Sequence, residues 1–284
     1  MLFALIGFLS GLLGGFIAQV AYLFMPYNTG QGPQLILILK MAIYAGLFSA
    51  VIATGLYWAI DVYSHRMTDW QKLLKQGVPV GFVAGAISGA VTQFIYGPIS
   101  MLIPHDLVGL LVGFIFLCLC WGVLGLIIGW RLSKAISNLD AHRAIYAGFI
   151  GGFLGEVGIQ IVTIFVPNIL GQMLGIGIMG AALGLCLVIV EEISRVAYVE
   201  VRWTPDEVSY FTLGSTPVFI GAGDSDIFVP TVVRHAMSLL IEGGKIYGTD
   251  HTKGKKKELF DGNHIIIGKI DMIIRTGIEK MKAT

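Results

Sequence analysis

Gly148–Gln160 reads GFIGGFLGEVGIQ, and its pattern recurs at Gly7–Gln19, GFLSGLLGGFIAQ, and at Gly81–Gln93, GFVAGAISGAVTQ. Each copy opens Gly-Phe, places a second glycine four positions on (Gly11, Gly85, Gly152) and closes on a glutamine twelve positions on (Gln19, Gln93, Gln160). The eighth position holds Gly15, Gly89 and, in the third copy alone, Glu156. Positions four apart share one face of an α-helix, and a face of glycines lets another helix backbone approach closely. The stripe therefore predicts the face on which helices meet.

Around these copies the composition belongs to a polytopic membrane protein. The 284 residues include 38 glycines and only 13% charged residues, with a mean hydropathy of +0.79. The charge is unevenly spread. Residues 1–192 hold 7 of the 19 Lys and Arg and 7 of the 18 Asp and Glu, so residues 193–284 carry the majority in about 90 positions. The chain is read as a membrane domain over 1–192 and a cytoplasmic domain over 193–284. Cys118, Cys120 and Cys186 all lie in apolar runs and read as small buried hydrophobes. The N-terminus has no basic start or small-residue cleavage site, so Met1–Phe24 is expected to be a retained membrane helix rather than a signal peptide.

Six runs are long enough to cross a bilayer core: about 2–24, 35–60, 78–97, 107–130, 144–166 and 169–191. Short turns without Lys or Arg follow the odd runs (MPYNTGQGP, GPISMLIPHD, VPN), whereas basic segments follow the even runs. These segments carry His65, Arg66, Lys72 and Lys75, then Arg131, Lys134 and Arg143, then Arg195 and Arg202. The excess of positive charge puts both termini on the cytoplasmic side of a plasma or inner membrane. The unit is a helical hairpin used three times, over about 1–77, 78–143 and 144–192. Such copies are expected to stack or to close about a pseudo-threefold axis. They run in the same direction, unlike the inverted repeats of common secondary transporters.

Past Glu191 and Glu192 the period changes from helical to alternating. In Ala197–Trp203, AYVEVRW, Tyr198, Glu200 and Arg202 share one face and Val199, Val201 and Trp203 the other. Further short strands (SYFTL, PVFIG, DIFVP, AMSLLI, KIYG, HIIIG, DMIIRT), separated by Gly, Pro, Asp and Ser, predict a β-sandwich. The linker from the last helix is at most five residues, which would make the two parts move as one body.

This last third resembles a forkhead-associated (FHA) domain. The carrying residues are Ile220-Gly221, then Ser225-Asp226-Ile227-Phe228-Val229, Arg234-His235-Ala236, Asp261-Gly262 and Ile265-Ile266-Ile267-Gly268. The resemblance covers about 197–278 and implies an all-β sandwich for protein recognition. In the family an arginine just after the Ile-Gly binds phosphothreonine, and here Ala222 stands in that place. Its serine and following basic residue are matched by Val232 and Val233, and its later Asn-Gly has no match within Lys245–Lys257. A phosphate dianion requires several charge-assisted donors, which these side chains do not supply. The resemblance thus implies a retained fold with standard phosphothreonine binding lost. Asp224, Ser225, Arg234, His235, Lys253 and Lys255 remain as the candidate loop surface.

In the membrane part Glu156 is the sharpest candidate. A charge at that depth is costly and faces a bundle interior, as an ion or proton site or as a protonated or hydrogen-bonded packing residue. Lys40 could snorkel to the headgroups, pair with Glu156 or cap the glutamines. Gln19, Gln93 and Gln160 lie at matching depth and would form a polar ring under threefold closure, or bond between helices. Gly175–Gly180 matches GxGxxG but sits within an apolar span, where no strand precedes it, so it reads as a packing stripe with Gly171 and Gly184. The lysines of 253–257 are a solvated loop or an attraction for anionic lipid, and their lack of interleaved aromatics argues against nucleic acid.

No HExxH, paired-cysteine, GxSxG or P-loop spacing is present, so neither an enzyme nor a cofactor or metal site is expected. The preferred expectation is a membrane scaffold whose FHA-like domain recruits protein partners within a homo-oligomer or larger complex, in contact with membrane lipids. The alternative is a channel or transporter with a regulatory FHA-like domain.

Overall fold

The computed structural model describes residues 1–25, 34–102, 107–204, 207–230, 233–268 and 270–277. Six helices come first: α1 (Leu2–Leu23), α2 (Gln34–Tyr63), α3 (Trp70–Leu102), α4 (Leu107–Leu132), α5 (Ala141–Phe165) and α6 (Asn168–Ser194). All six contain a segment long and apolar enough to cross a membrane, with mean hydropathies from 1.6 to 2.7. Helix α3 starts eight residues before the apolar run. The Asp69 carboxylate accepts the N–H groups of Gln71 and Lys72 at 3.0 and 3.2 Å, which caps about two added turns. The turn between α5 and α6 is only Val166-Pro167, whereas the turns after α1 and α3 lie mostly outside the described residues.

Glycine decides which helices touch. A Cβ on Gly81, Gly85 or Gly89 of α3 would collide with the α2 backbone at Ser49, Ala45 and Met41. One on Gly148 or Gly152 of α5 would collide with α4 at Gly125 and Trp121. On α1, Gly7 and Gly11 abut the carbonyls of Gly180 and Ile176 of α6, and Gly15 contacts Met173 and Ile176. The glycine stripe of each odd helix therefore rests on the even helix before it, and α1 rests on α6. The other faces pack within hairpins: Gly14 on Phe48, the Ser88 hydroxyl on the Cys120 carbonyl, and Gly155 on Met179.

The contacts divide the chain into two compact units. The first is helical: Met1–Ala59, Asp69–Leu132 and Ala141–Val190. The second gathers Ile60–Thr68, Ser133–Asp140 and Glu191–Thr284.

The second unit holds β1 (Ala197–Thr204), β2 (Glu207–Leu213), β3 (Val218–Gly221), β4 (Ile227–Phe228), β5 (Met237–Glu242), β6 (Lys245–Asp250), β7 (Lys255–Leu259), β8 (His264–Ile267) and β9 (Ile270–Thr276). They form two sheets, ordered β2-β1-β9-β8 and β4-β3-β5-β6-β7. Pairing is antiparallel except for β3 with β4. The β5–β6 turn is two residues, Gly243 and Gly244, with φ of 59° and 75°, the conformation a tight hairpin demands. One buried cluster joins the sheets: Val199, Val201 and Met272 from the first meet Val218, Ile220, Ile227 and Leu239 from the second, all fully buried. The expected alternation holds for the buried side of β1, Ala197, Val199 and Val201, while Trp203 at its end is only partly buried.

Candidate functional site

Within the helical unit a cavity of about 350 Å³ is lined by residues of five helices. From α1 come Gln19 and Tyr22, and from α2 Met41, Tyr44 and Phe48. Trp121 of α4, Glu156 and Ile159 of α5, and Gln172 and Ile176 of α6 complete it. At stripe positions Gly15 and Gly89 the helices close on each other, but at the equivalent third position Glu156 presents its carboxylate to this space.

Glu156 is 3% exposed, and its Oε1 accepts the Gln160 Nε2 donor at 2.6 Å. Gln19 donates from Nε2 to the Tyr44 hydroxyl at 2.8 Å and also to Oε1 of Gln172. A polar seam thus crosses α1, α2 and α6, where the surrounding residues are apolar. An amide in such surroundings is tolerated only when its hydrogen bonds are made. Tyr44 meets Tyr22 edge to face at 5.9 Å between centroids and Phe48 at 5.7 Å, and Phe48 reaches Trp121 at 5.6 Å. These four rings form a continuous aromatic wall.

The structure chooses between alternatives at two places. Gln19 bonds between helices, with Gln172 of α6 and Tyr44 of α2 as its partners, and neither Gln93 nor Gln160 lines the cavity to make a ring with it. Helix α3 turns its glycine stripe to α2, and none of its described side chains lines the cavity. Lys40 does not extend to the exterior. It is 8% exposed, with Nζ 5.9 Å from the centroid of the Tyr22 ring, whose face offers favourable electrostatics to an ammonium. Gln172 and Tyr44 were legible only as single polar or aromatic positions in apolar spans, and neither shares the repeated motif.

In the second unit the loop residues cluster at one end of the five-stranded sheet. Gly221, at φ 154°, has no room for a Cβ against the Val233 carbonyl and the His235 N–H, so its absence lets residues 233–236 cross close to β3. Arg234 then reaches Asp224 in a bidentate pair, Nε to Oδ1 at 3.0 Å and Nη2 to Oδ2 at 2.9 Å. That guanidinium holds the exposed Asp224 carboxyl below the usual aspartate range. His235 packs edge to face on Phe219 at 4.6 Å and places Nε2 3.6 Å from Asp224. Its buried Nδ1 has no hydrogen-bond partner among the described residues. The His251 N–H donates to the Ala236 carbonyl at 2.9 Å, which brings the 250–254 turn to the same end. There Lys253 is exposed and its N–H donates to Asp250 at 3.1 Å, while Lys255 opens β7, exposed, opposite Asp250.

Ser225 departs from the expected surface. It is fully buried, and its hydroxyl donates to the Ala222 carbonyl at 3.0 Å, closing the turn instead of facing solvent. Ala222 bridges to Arg234, and Val233 is 66% exposed, whereas Val232 lies outside the described residues.

Sequence reading also missed the role of two interhelical loops. Asp226 accepts from Arg66 at 3.3 Å, from the Ser137 hydroxyl at 2.5 Å and from the Phe219 N–H at 2.8 Å. Arg66 Nε also donates to the Ser225 carbonyl at 2.8 Å. Asn138, at φ 61°, donates to the carbonyls of Thr212 and Thr216, and the His65 ring lies 4.2 Å from Trp203. The basic character of the 60–68 segment was visible, but not that Arg66 serves a part-buried corner.

No protein-family model, curated protein or solved structure matches the chain.

Proposed function

We propose that the protein is an integral membrane scaffold whose β-rich domain, an FHA-like sandwich on the cytoplasmic side, recruits protein partners without standard phosphothreonine binding. Three copies of a glycine-striped hairpin closed about a pseudo-threefold axis would form the membrane part, in keeping with the common orientation of the three stripes. The observation that carries the reading is Val233. Where the resemblance calls for a cationic phosphate donor, the domain exposes this apolar side chain to 66%, while neighbouring Arg234 is engaged by Asp224. An aliphatic in that place, beside an arginine already paired, offers a phosphate dianion fewer charge-assisted donors than the basic residue of the family would.

The test is purification of the full chain in mild detergent, with the stoichiometry of co-migrating proteins determined before and after Val233→Asp. A stoichiometric partner lost on this change supports the scaffold. A partner set unchanged by it removes the proposed surface. Titration of the same protein with phosphothreonine peptide should show no binding at millimolar peptide.

A second reading, a channel or transporter, is favoured by the cavity at Glu156. It requires flux in proteoliposomes that Glu156→Gln abolishes, with partner binding unaffected.

A further inference from the structure

The cavity combines two features that a packing defect would lack. One wall is aromatic and continuous: Tyr22, Tyr44, Phe48 and Trp121 come from three helices and touch in sequence. The same space receives a carboxylate that is 3% exposed, at the position where the other two copies of the stripe have glycine. A buried carboxylate is costly as an anion unless a positive charge pairs with it, and the faces of aromatic rings attract cations electrostatically. The protein already uses one end of this wall in that way, since the Lys40 ammonium lies over Tyr22. The remaining rings, Tyr44, Phe48 and Trp121, have no comparable cation described over them.

Size and polarity narrow the class of ligand. A volume of about 350 Å³ exceeds what a bare metal ion needs and suits a small organic molecule. Carboxylate and amides could coordinate a hard cation, but oxygen-rich cages of six or more ligands are the rule there, and this lining is mainly aromatic and aliphatic. Gln19, which donates to both Tyr44 and Gln172, holds the polar end in a fixed arrangement.

We propose that this cavity binds a small organic cation of the alkylammonium class, with Glu156 as counter-ion and the rings of Tyr44, Phe48 and Trp121 as its apolar and cation–π wall. Binding does not require that the cation cross the membrane, so the site stands apart from the question of transport.

The test is equilibrium binding of radiolabelled tetramethylammonium to the full chain in nanodiscs, scored against competitors. Saturable binding at one site per chain is expected, displaced by unlabelled alkylammonium ions and not by the uncharged isostere tert-butanol or by acetate. Glu156→Gln should raise the Kd at least tenfold, Glu156→Asp should retain most of the affinity, and Tyr44→Leu should raise the Kd several-fold. No saturable binding to the unaltered chain, or equal displacement by tert-butanol, would overturn the proposal without recourse to any variant. A Glu156→Gln protein that folds and binds as tightly as the parent would overturn it too.

Discussion

Arg66 and Asp226, 160 residues apart, meet through Nη2 and Oδ1 at 3.3 Å, within the unit that also contains the nine strands. The carboxylate is a junction: its other oxygen accepts the Phe219 N–H of β3, and Ser137 from a second interhelical loop shares Oδ1. With side chains only about one-fifth exposed, the pair is screened less than a surface salt bridge.

Asp226→Ala should leave three donors without their acceptor, at a cost of about 2–3 kcal/mol to the β-rich unit. Hydrogen exchange of the full chain followed by mass spectrometry checks this. Segments 60–68, 133–140 and 218–229 should exchange faster together, by roughly 30- to 150-fold where protection reflects opening of the unit. Faster exchange confined to 218–229 would show that the loops are not held by this carboxylate.

Helix contact predicts a contrast between two glycines of α4. A Cβ on Gly125 would overlap the Gly148 carbonyl, whereas one on Gly113 would make ordinary contact with the Tyr96 ring at 3.5 Å. Gly125→Ala should therefore destabilise by about 1–3 kcal/mol through overpacking, and Gly113→Ala should be neutral or gain up to about 1 kcal/mol from helix propensity. Thermal unfolding of the two variants in one detergent would show the difference as Tm shifts of opposite sign or very unequal size.

A double-mutant cycle tests the seam between Gln19 and Gln172. Each single change to leucine strands a polar partner, whereas the double change removes both. Coupling of about 0.5–1.5 kcal/mol is expected from equilibrium unfolding in bicelles. Additive losses would mean that the two amides do not stabilise each other.

Acid should weaken the β-rich unit partly through Glu200. Arg202, at 2.9 Å, and then Arg275, at 3.4 Å, hold its carboxyl below the usual glutamate range. A carboxyl lowered on folding adds stability above its unfolded pKa and loses it as pH falls through the folded value. Glu200→Gln should flatten the decline in stability below about pH 4.5 and change its slope little near neutrality. The pH dependence of hydrogen exchange over 197–204 reads this directly.

The hydropathy of the chain and the Gly-Phe stripe were enough to place six helices and their packing faces, and the change from a period of four to alternation after Glu192 marked where strands begin. These are local signals, written in neighbouring residues, so they survive without knowledge of the fold. The exception among them is the start of α3, where an aspartate cap extends a helix beyond its apolar run.

Partnership between distant segments was not legible. Gly15, Gly89 and Glu156 occupy one position of the motif, yet only the assembled helices decide that the first two close a contact while the third faces a cavity. The same assembly exchanges Gln93 for Gln172 and folds Lys40 over Tyr22. In the β-rich unit it buries Ser225 and enlists Arg66 and Ser137 from loops between helices. Sequence alone determined which faces must be buried, because burial follows from composition and period. What each face is buried against was settled only in three dimensions, where close packing admits one set of neighbours and nearly all buried polar groups find partners.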